Sequence, residues 1–396
     1  MSAWRHLSLW MNQLDDPLEA RPSLEESLEV DVAIVGAGYT GLWTAYYLKR
    51  RAPQLRVAIV EAETAGFGAS GRNGGWLMGN LLGEDGLLAG LPPERRRAGY
   101  DLLHGIPDEV ARVLQEEGID CDYRKGGVLY CAARYPEQER RLRAYLHDLY
   151  AEGLDESDYR WLTPQELDQQ LRIPGSYGAI HSPHCATIQP ARLARGLARA
   201  VERLGVRLFE KSRVLHWQRG LLRTERGELR AEGQAVVGGK LRNDFSLDDE
   251  EVGLRRYLFG ELFPLLKDAR ISHTWGGNLG MARRFRPHML LDRASGIALS
   301  GGYGGEGVGA SNLGGRTLAA LILGEDSELL RQPWVLGERP LDSLARWEPE
   351  PCRWLGYNAI IRSFVHEDRV LADPHSAPWR RSLAQTLAAG MESLMR

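Results

Sequence analysis

Cysteine is scarce in this chain of 396 residues, and the four present, Cys121, Cys131, Cys185 and Cys352, form no C-x-x-C pair. A dense disulfide frame and a zinc ribbon are both excluded, and a reducing compartment fits best. Lysine is scarce too: only five of the 50 basic residues are lysine, a bias read as genomic codon usage rather than a design for phosphate. Charge of one sign is missing, since 53 acidic residues leave a net charge of −3. No overall field draws the chain onto nucleic acid or an anionic bilayer, and no nucleic-acid partner is expected. Also absent is any run of about 18 apolar residues. The first thirty residues are broken by charges every few positions and contain no signal-type apolar stretch, so the expectation is a cytoplasmic protein. What remains is enough chain for two domains, because single cores stop growing near roughly 250–300 residues.

The lead-in is polar, with one Pro-bounded turn at Arg21, Pro22 and Ser23. Val30 to Val35 (VDVAIV) is short, β-branched and apolar at nearly every position, as a parallel strand covered on both faces must be. Leu42, Ala45, Tyr46 and Leu48 then fall on a helical stripe, Pro53 closes it, and a second apolar run from Val57 to Val60 ends in Glu61. This is a βαβ unit. Helices are expected from about Glu94 to Glu117 and from Pro136 to Glu152. Another opens at Pro190, followed by a strand at Val206 to Phe209. A last strand, Ile297 to Leu299, leads through glycines into a helix carrying Leu313, Leu318, Ile322 and Leu323. The expected architecture is α/β: a Rossmann-type domain made of residues 1–80, 180–237 and 290–396, interleaved with a smaller sheet-based α+β substrate or cap domain, 81–179 and 238–289.

Three glycine-rich segments carry the chemistry. Gly36, Gly38 and Gly41 form a G-x-G-x-x-G between a strand and a helix, where a tight turn, close approach to a pyrophosphate and close helix packing are each needed. Glu61, twenty residues beyond Gly41, can accept from a ribose 2′-hydroxyl and would repel a 2′-phosphate. The second segment is Ser70, Gly71, Arg72, Asn73, Gly74, Gly75, Trp76. The third, Gly301 to Val308, opens a helix whose N-terminus could stabilise negative charge gathering on a reduced ring. A nicotinamide cofactor needs only the first turn, whereas FAD has a long chain and a fused ring to surround, so two extra clusters favour FAD. An NAD-dependent dehydrogenase rests on the first turn alone.

The strings VAIVGAGYTGLWTAYYL, VAIVEA, GASGRNGG and GGYGGEGVGASNLGGRTLAALILG resemble the FAD-dependent D-amino-acid-oxidase-like family, which includes glycine, sarcosine and γ-glutamylputrescine oxidases. The resemblance runs from about Ser8 to Trp354 and is strongest to the γ-glutamylputrescine oxidase-like branch. It implies oxidation of a C–N bond in an amine or amino acid by hydride transfer to flavin N5, with oxygen or a quinone as acceptor. Carried onto this sequence, it implies that Gly36, Gly38 and Gly41 hold the pyrophosphate and Glu61 the adenosine ribose. Ser70, Arg72, Asn73, Gly74 and Gly75 line the ribityl and ring side, Val214 touches the adenine, and Gly302, Tyr303, Gly305, Gly307 and Val308 close on the pyrimidine edge. Some relatives attach FAD through a His in the early glycine segment or a Cys before the late one. Here Arg72 and Asn73 stand in the first place and no Cys lies between Cys185 and Cys352, so the flavin is expected to be non-covalent.

One departure from the family pattern follows the strand that ends at Val237. The chain runs directly into Gly238, Gly239 and Lys240, without the several strands the family places there, and resumes in family style at LRRYLFGELFPLL. An internal deletion is therefore expected, and with it an alternative reading, a truncated, non-catalytic flavin-binding remnant. Exposed strand edges, weak FAD retention or oligomerisation would follow. Lys240 over the ring could promote oxygen reduction, and Tyr303 and Trp275 are candidate pocket aromatics, with core packing the expected role for Trp275. His181, His184 and Cys185 (H-x-x-H-C) match no zinc spacing, so no metal site is expected and the pair reads as loop surface. The acidic runs Asp155, Glu156, Asp158 and Asp248 to Glu251 read as solvated faces. A C-terminal stripe of Leu383, Leu387, Met391 and Leu394, following Arg380 and Arg381, is expected to dock on its own protein, with peripheral membrane contact as the sharper alternative.

Overall fold

The computed structural model describes residues 4–16, 18–237, 256–257, 259–276, 282–283, 286–373 and 375–393. The junction after Val237, Lys240 and the acidic run at 248–251 lie outside these residues, as does Leu394. The main sheet contains β1 (Ser27–Val35), β2 (Val57–Val60), β3 (Arg207–Phe209), β4 (Glu228–Val237), β5 (His288–Asp292), β6 (Ile297–Gly301) and β7 (Val335–Gly337). Their order is β7-β5-β6-β4-β1-β2-β3, with a hairpin, His216–Gln218 and Leu221–Arg223, added at β4. β1 is parallel to both neighbours, and Val35 is level with Val60 on one side and Val237 on the other. Val60 is in turn level with Phe209, and Val237 with Leu299. The carboxyl ends of five strands therefore form one edge. The chain goes from β1 to β2 on one side and returns much later to β4 on the other, and ligands of open α/β sheets lie at such a switch point.

Apolar content explains why β1 and β2 are central. Val30, Val32, Ala33 and Ile34 are buried, as is every residue of β2, so both faces must be covered. One cover is α1 (Tyr39–Arg51), in which all but three residues are buried, closed over by α6 (Gly307–Leu323). α2 (Pro93–His104) and α3 (Ile106–Glu117) replace the single helix expected over this stretch. Pro107, in the first turn of α3, has no N–H to offer the preceding turn, so the helix must stop and restart at Gly105. α4 (Pro136–Ala151) and α5 (Pro190–Arg203) each begin on a proline at the first turn, as the sequence suggests for α5.

Two small antiparallel sheets lie outside the main one. Cys185–Thr187 pairs with both Trp76–Met78 and Arg124–Lys125, and Ala179–Ser182 pairs with both Val128–Cys131 and Arg160–Leu162. The fold is thus a Rossmann-type sheet with a smaller sheet-based part threaded through it. At the C-terminus, α7 (Cys352–Ala372) and α8 (Pro378–Ser393) pack as a hairpin tied to α4 through Arg141–Glu367 and Gln385–Glu137. The leucine stripe does not dock as expected. Ala384 and Ala388 are buried while Leu383 and Leu387 are each 52% exposed. A side chain one position along is turned by about 100°, and small alanines let the helix come closer than leucines would. Among the described residues no helix is long and apolar enough to cross a membrane.

Candidate cofactor site

The turn after β1 is fixed by its glycines. Gly36 has φ +97°, a left-handed conformation that disfavours any side chain, and its N–H donates to Val60 O at 2.8 Å. A Cβ on Gly41 would lie 2.1 Å from Gly36 O, so α1 can start this close to the strand only with glycine there. The N-terminus of α1 therefore opens at the shared carboxyl edge, with its partial positive charge facing outward.

Glu61 closes β2 beside this turn. Its Oε2 accepts from Ala37 N at 2.8 Å and its Oε1 from Glu63 N at 2.9 Å. Burial pushes its pKa up, and these two N–H donors pull the other way. Each oxygen keeps one lone-pair direction for a hydroxyl.

Hydrogen bonds bring the three glycine segments together. Ser70 Oγ accepts from Tyr39 N at 2.9 Å, and Gly66 N donates to Ala37 O at 3.0 Å, which joins the second segment to the first. Tyr303 OH lies 3.0 Å from Thr40 Oγ1 and 2.7 Å from Ser300 Oγ, which joins the third segment to α1. Through these contacts Tyr303 braces the third segment against α1, and burial raises the pKa of its phenol. Asn73 folds its own loop, donating from Nδ2 to Ala69 O and Ser70 O and accepting from Gly75 N at 2.8 Å. Val214 is partly buried and packs against the core cluster of Val30, Ala33, Ala58, Val60 and Phe209. Gly302 is pressed against Arg286 O, while Gly307 and the buried Val308 begin α6.

Sequence reasoning missed the lead-in. Ser8 Oγ donates to Gly71 O at 2.8 Å, and Trp10 Nε1 donates to Asn73 O at 2.7 Å. Trp275, read as a pocket or core aromatic, donates from Nε1 to Arg72 O at 2.9 Å and meets Trp10 edge-on at 5.9 Å. The two tryptophans clamp the outside of the second segment. The signal was the apolar spacing of Trp10, Met11 and Leu14 inside a stretch otherwise read as polar.

These residues fit a long, phosphate-bearing cofactor. A Cβ at Gly36, Gly74 or Gly305 would meet none of the described residues within 4 Å, so these leave open space at all three segments. Arg72 holds Phe67 O with Nε at 3.0 Å and lies over the Phe67 ring, while its buried Nη2 has no partner among the described residues. A buried guanidinium nitrogen left unpaired is costly unless something accepts from it. A separate cavity of about 590 Å³ lies between the lead-in and α5, bounded by Asp16, Arg21, Arg192 and Arg195. It touches no glycine segment, and its arginines are already paired, Arg195 and Arg199 with Asp16, Arg192 with Asp122 and Arg21 with Glu202 and Glu210.

Glu84 is 7% exposed, and its described hydrogen bond is the one it accepts from Leu81 N. Burial raises its pKa well above the usual range, helped by Asp85, Glu306 and Glu152 and opposed by that N–H. An acid raised on folding stabilises the folded state fully below its unfolded pKa and progressively less as pH climbs towards the folded one. Glu84→Gln should therefore melt about 2 °C or more above the parent at pH 8. The gain should vanish towards pH 4, and equal melting at both pH values would refute the assignment.

The family model described as FAD dependent oxidoreductase matches residues 31–237. A probable oxidoreductase, OrdL, of Haemophilus influenzae is 25% identical over 82% of this chain and 91% of its own length. The gamma-glutamylputrescine oxidoreductase of Escherichia coli is 26% identical over 76% of this chain and 86% of its own. Among solved structures, glycine oxidase from Geobacillus kaustophilus superposes with a TM-score of 0.63 at 20% identity, covering 76% of this chain and 96% of that one. With the strand–glycine turn–helix, the acid at the end of β2 and the open space at three joined segments, these likenesses show that the chain belongs to the FAD dependent oxidoreductase family and that FAD is its cofactor.

Proposed function

We propose that this chain oxidises the C–N bond of an amine or amino acid, with a substrate of the γ-glutamylputrescine type as its first candidate. The observation that carries the reading is the joining of three glycine segments at one sheet edge, through Tyr39 N to Ser70 and Thr40 to Tyr303. The glycine oxidase likeness supports the fold and the gamma-glutamylputrescine oxidoreductase likeness supports the substrate class.

FAD, when bound, supplies the acceptor for two electrons, so the chain's residues need only bind and orient. Gly36, Gly38 and Gly41 with the start of α1 would receive the pyrophosphate, and Glu61 the ribose hydroxyl. Ser70, Arg72, Asn73, Gly74 and Gly75 would follow the ribityl side, with the unpaired Arg72 Nη2 as a donor. Val214 would meet the adenine, and Gly302, Tyr303, Gly305, Gly307 and Val308 the pyrimidine edge. Attachment would be non-covalent, because Arg72 and Asn73 occupy the early segment. The four cysteines are unpaired, which agrees with a cytoplasmic setting.

The domain boundaries and the internal deletion belong to the same proposal. The match to the OrdL relative extends over 408 positions, more than this chain contains, while using 82% of it. The relative therefore carries segments without counterpart here. Trp76 beside the second glycine segment is 50% exposed, and Tyr257, Leu265 and Ile271 stand at 63%, 92% and 48% exposure, as expected where covering strands are lost.

Anaerobic mixing of the purified yellow protein with γ-glutamylputrescine, sarcosine and glycine tests the reading. Bleaching of the flavin band with any of them supports catalysis, and re-oxidation by air or by a quinone then identifies the acceptor. A fully loaded protein that no amine bleaches would leave the non-catalytic remnant as the function.

A further inference from the structure

Away from the glycine segments, His104, Asp158 and His184 converge from three elements: the last residue of α2, the turn that closes at Asp158, and the link between Ala179–Ser182 and Cys185–Thr187. His104 and Asp158 are 5% and 3% exposed, and the His184 side chain 19%. One donor atom from each lies within 4.8 Å of the other two. We propose that they bind a divalent transition metal of the zinc type, as a structural clip in the smaller sheet-based part of the molecule.

The distances fit a shared ion as well as they fit the His184–Asp158 hydrogen bond. Zinc bound to nitrogen and oxygen at about 2.0–2.1 Å in a tetrahedron sets its ligand atoms about 3.3 Å apart. Asp158 Oδ1 lies 3.2 Å from His184 Nε2 and 3.4 Å from His104 Nδ1. His104 Nδ1 is buried and, although 3.4 Å from Asp158 Oδ1, makes no hydrogen bond among the described residues, so a buried nitrogen is left wanting a partner.

The surroundings are those a ligand set requires. Asp158 Oδ2 is already held by Arg97 Nη1 at 2.8 Å, which fixes the carboxylate and turns Oδ1 towards the imidazoles. The other ring nitrogen of His104, Nε2, lies 3.4 Å from Tyr159 OH, the outer contact that sets tautomer and ring angle in metal-bound histidines. Gly79 locks the backbone. Its N–H donates to His184 O at 2.8 Å, and a Cβ there would lie 2.9 Å from His184 O and 3.2 Å from His104 Cα. The rings stack at 3.7 Å with 6° between planes, so an ion in line with both lone pairs requires one ring to turn. His184, whose side chain is 19% exposed, is the ring that would turn, exchanging its hydrogen bond to Asp158 for the ion. With three protein ligands, solvent takes the fourth position.

Spacing could not reveal this site. His181 and Cys185, the neighbours of His184 in sequence, do not contribute, and the partners lie 80 and 26 residues away.

The test uses untagged, FAD-loaded protein, stripped with a chelator, dialysed against zinc chloride and then against buffer, with metal counted by elemental analysis. One zinc per chain is expected, and Co(II) in its place should add tetrahedral visible bands over the flavin spectrum. His184→Ala and Asp158→Asn should lose the metal while keeping the parent FAD content, which separates loss of ligands from loss of fold. Tyr159→Phe should weaken zinc about 10-fold or more, and His181→Ala should leave it unchanged. Zinc no higher than the buffer blank, or equal retention by His184→Ala, overturns the proposal.

Discussion

Gly41→Ala should purify almost colourless, with FAD retention down by at least roughly tenfold. The added Cβ would lie 2.1 Å from Gly36 O, where a comfortable contact needs above 3 Å, so α1 must retreat from β1 by about 1 Å. Hydrogen bonds from the start of α1 stretch from near 2.9 Å to beyond 3.5 Å under such a shift, and each to a phosphate is worth about 1.5–3 kcal/mol. Since about 1.4 kcal/mol is a factor of ten, losing one suffices. Gly74→Ala provides the contrast. Its Cβ meets no atom of the described residues within 4 Å, so melting of the apoprotein should stay with the parent while FAD retention falls. The ratio of flavin to protein absorbance, with thermal melts of both apoproteins, checks the pair. Full colour in Gly41→Ala would remove the first glycine turn from the site.

The difference between these glycines also explains what could be read from the sequence. Gly36, Gly38, Gly41 and Glu61 are legible because their chemistry is local: a turn, a helix start and a strand end within one βαβ unit. The start of α5 was legible for the same reason, since Pro190 is compatible with a first helical turn wherever it occurs. The break at Gly105 depended on reading Pro107 as a stop inside an otherwise continuous pattern. Contacts that join distant segments leave no periodic mark. Trp10 reaches Asn73 across 63 residues, and His104 reaches Asp158 across 54 without any spacing rule. The C-terminal hairpin failed differently. The helical period of α8 was right, but the choice of buried face was not, because alanines rather than leucines take the closest approach.

Glu210→Ala should be the most damaging polar substitution proposed here, costing about 3–5 kcal/mol of stability. Glu210 follows β3, and its side chain is fully buried. Oε1 accepts from Arg21 Nη1 at 2.9 Å, Ala65 N at 2.8 Å, Thr64 Oγ1 at 3.1 Å and Arg195 Nη1 at 3.3 Å, and Oε2 accepts from Arg21 N at 2.8 Å. Removing it leaves Arg195, whose side chain is 5% exposed, with Asp16 as its one carboxylate partner, and strands the N–H of Ala65. The same carboxylate is what ties Thr64 and Ala65, which lead into the second glycine segment, to the lead-in at Arg21. Its loss should therefore loosen FAD as well as the fold. Replacing Glu210 together with its more deeply buried arginine separates charge from packing: Glu210→Leu with Arg195→Met leaves Arg21 with Glu202 and Asp16 with Arg199, and should be less destabilised than Glu210→Ala, as buried ion pairs exchanged for apolar groups usually are. Urea denaturation of the three proteins, each with its FAD content measured, tests the order. A Glu210→Ala protein within about 1 kcal/mol of the parent would mean that water enters and solvates the arginines, and that the second glycine segment is held by its own turns and the two tryptophans instead.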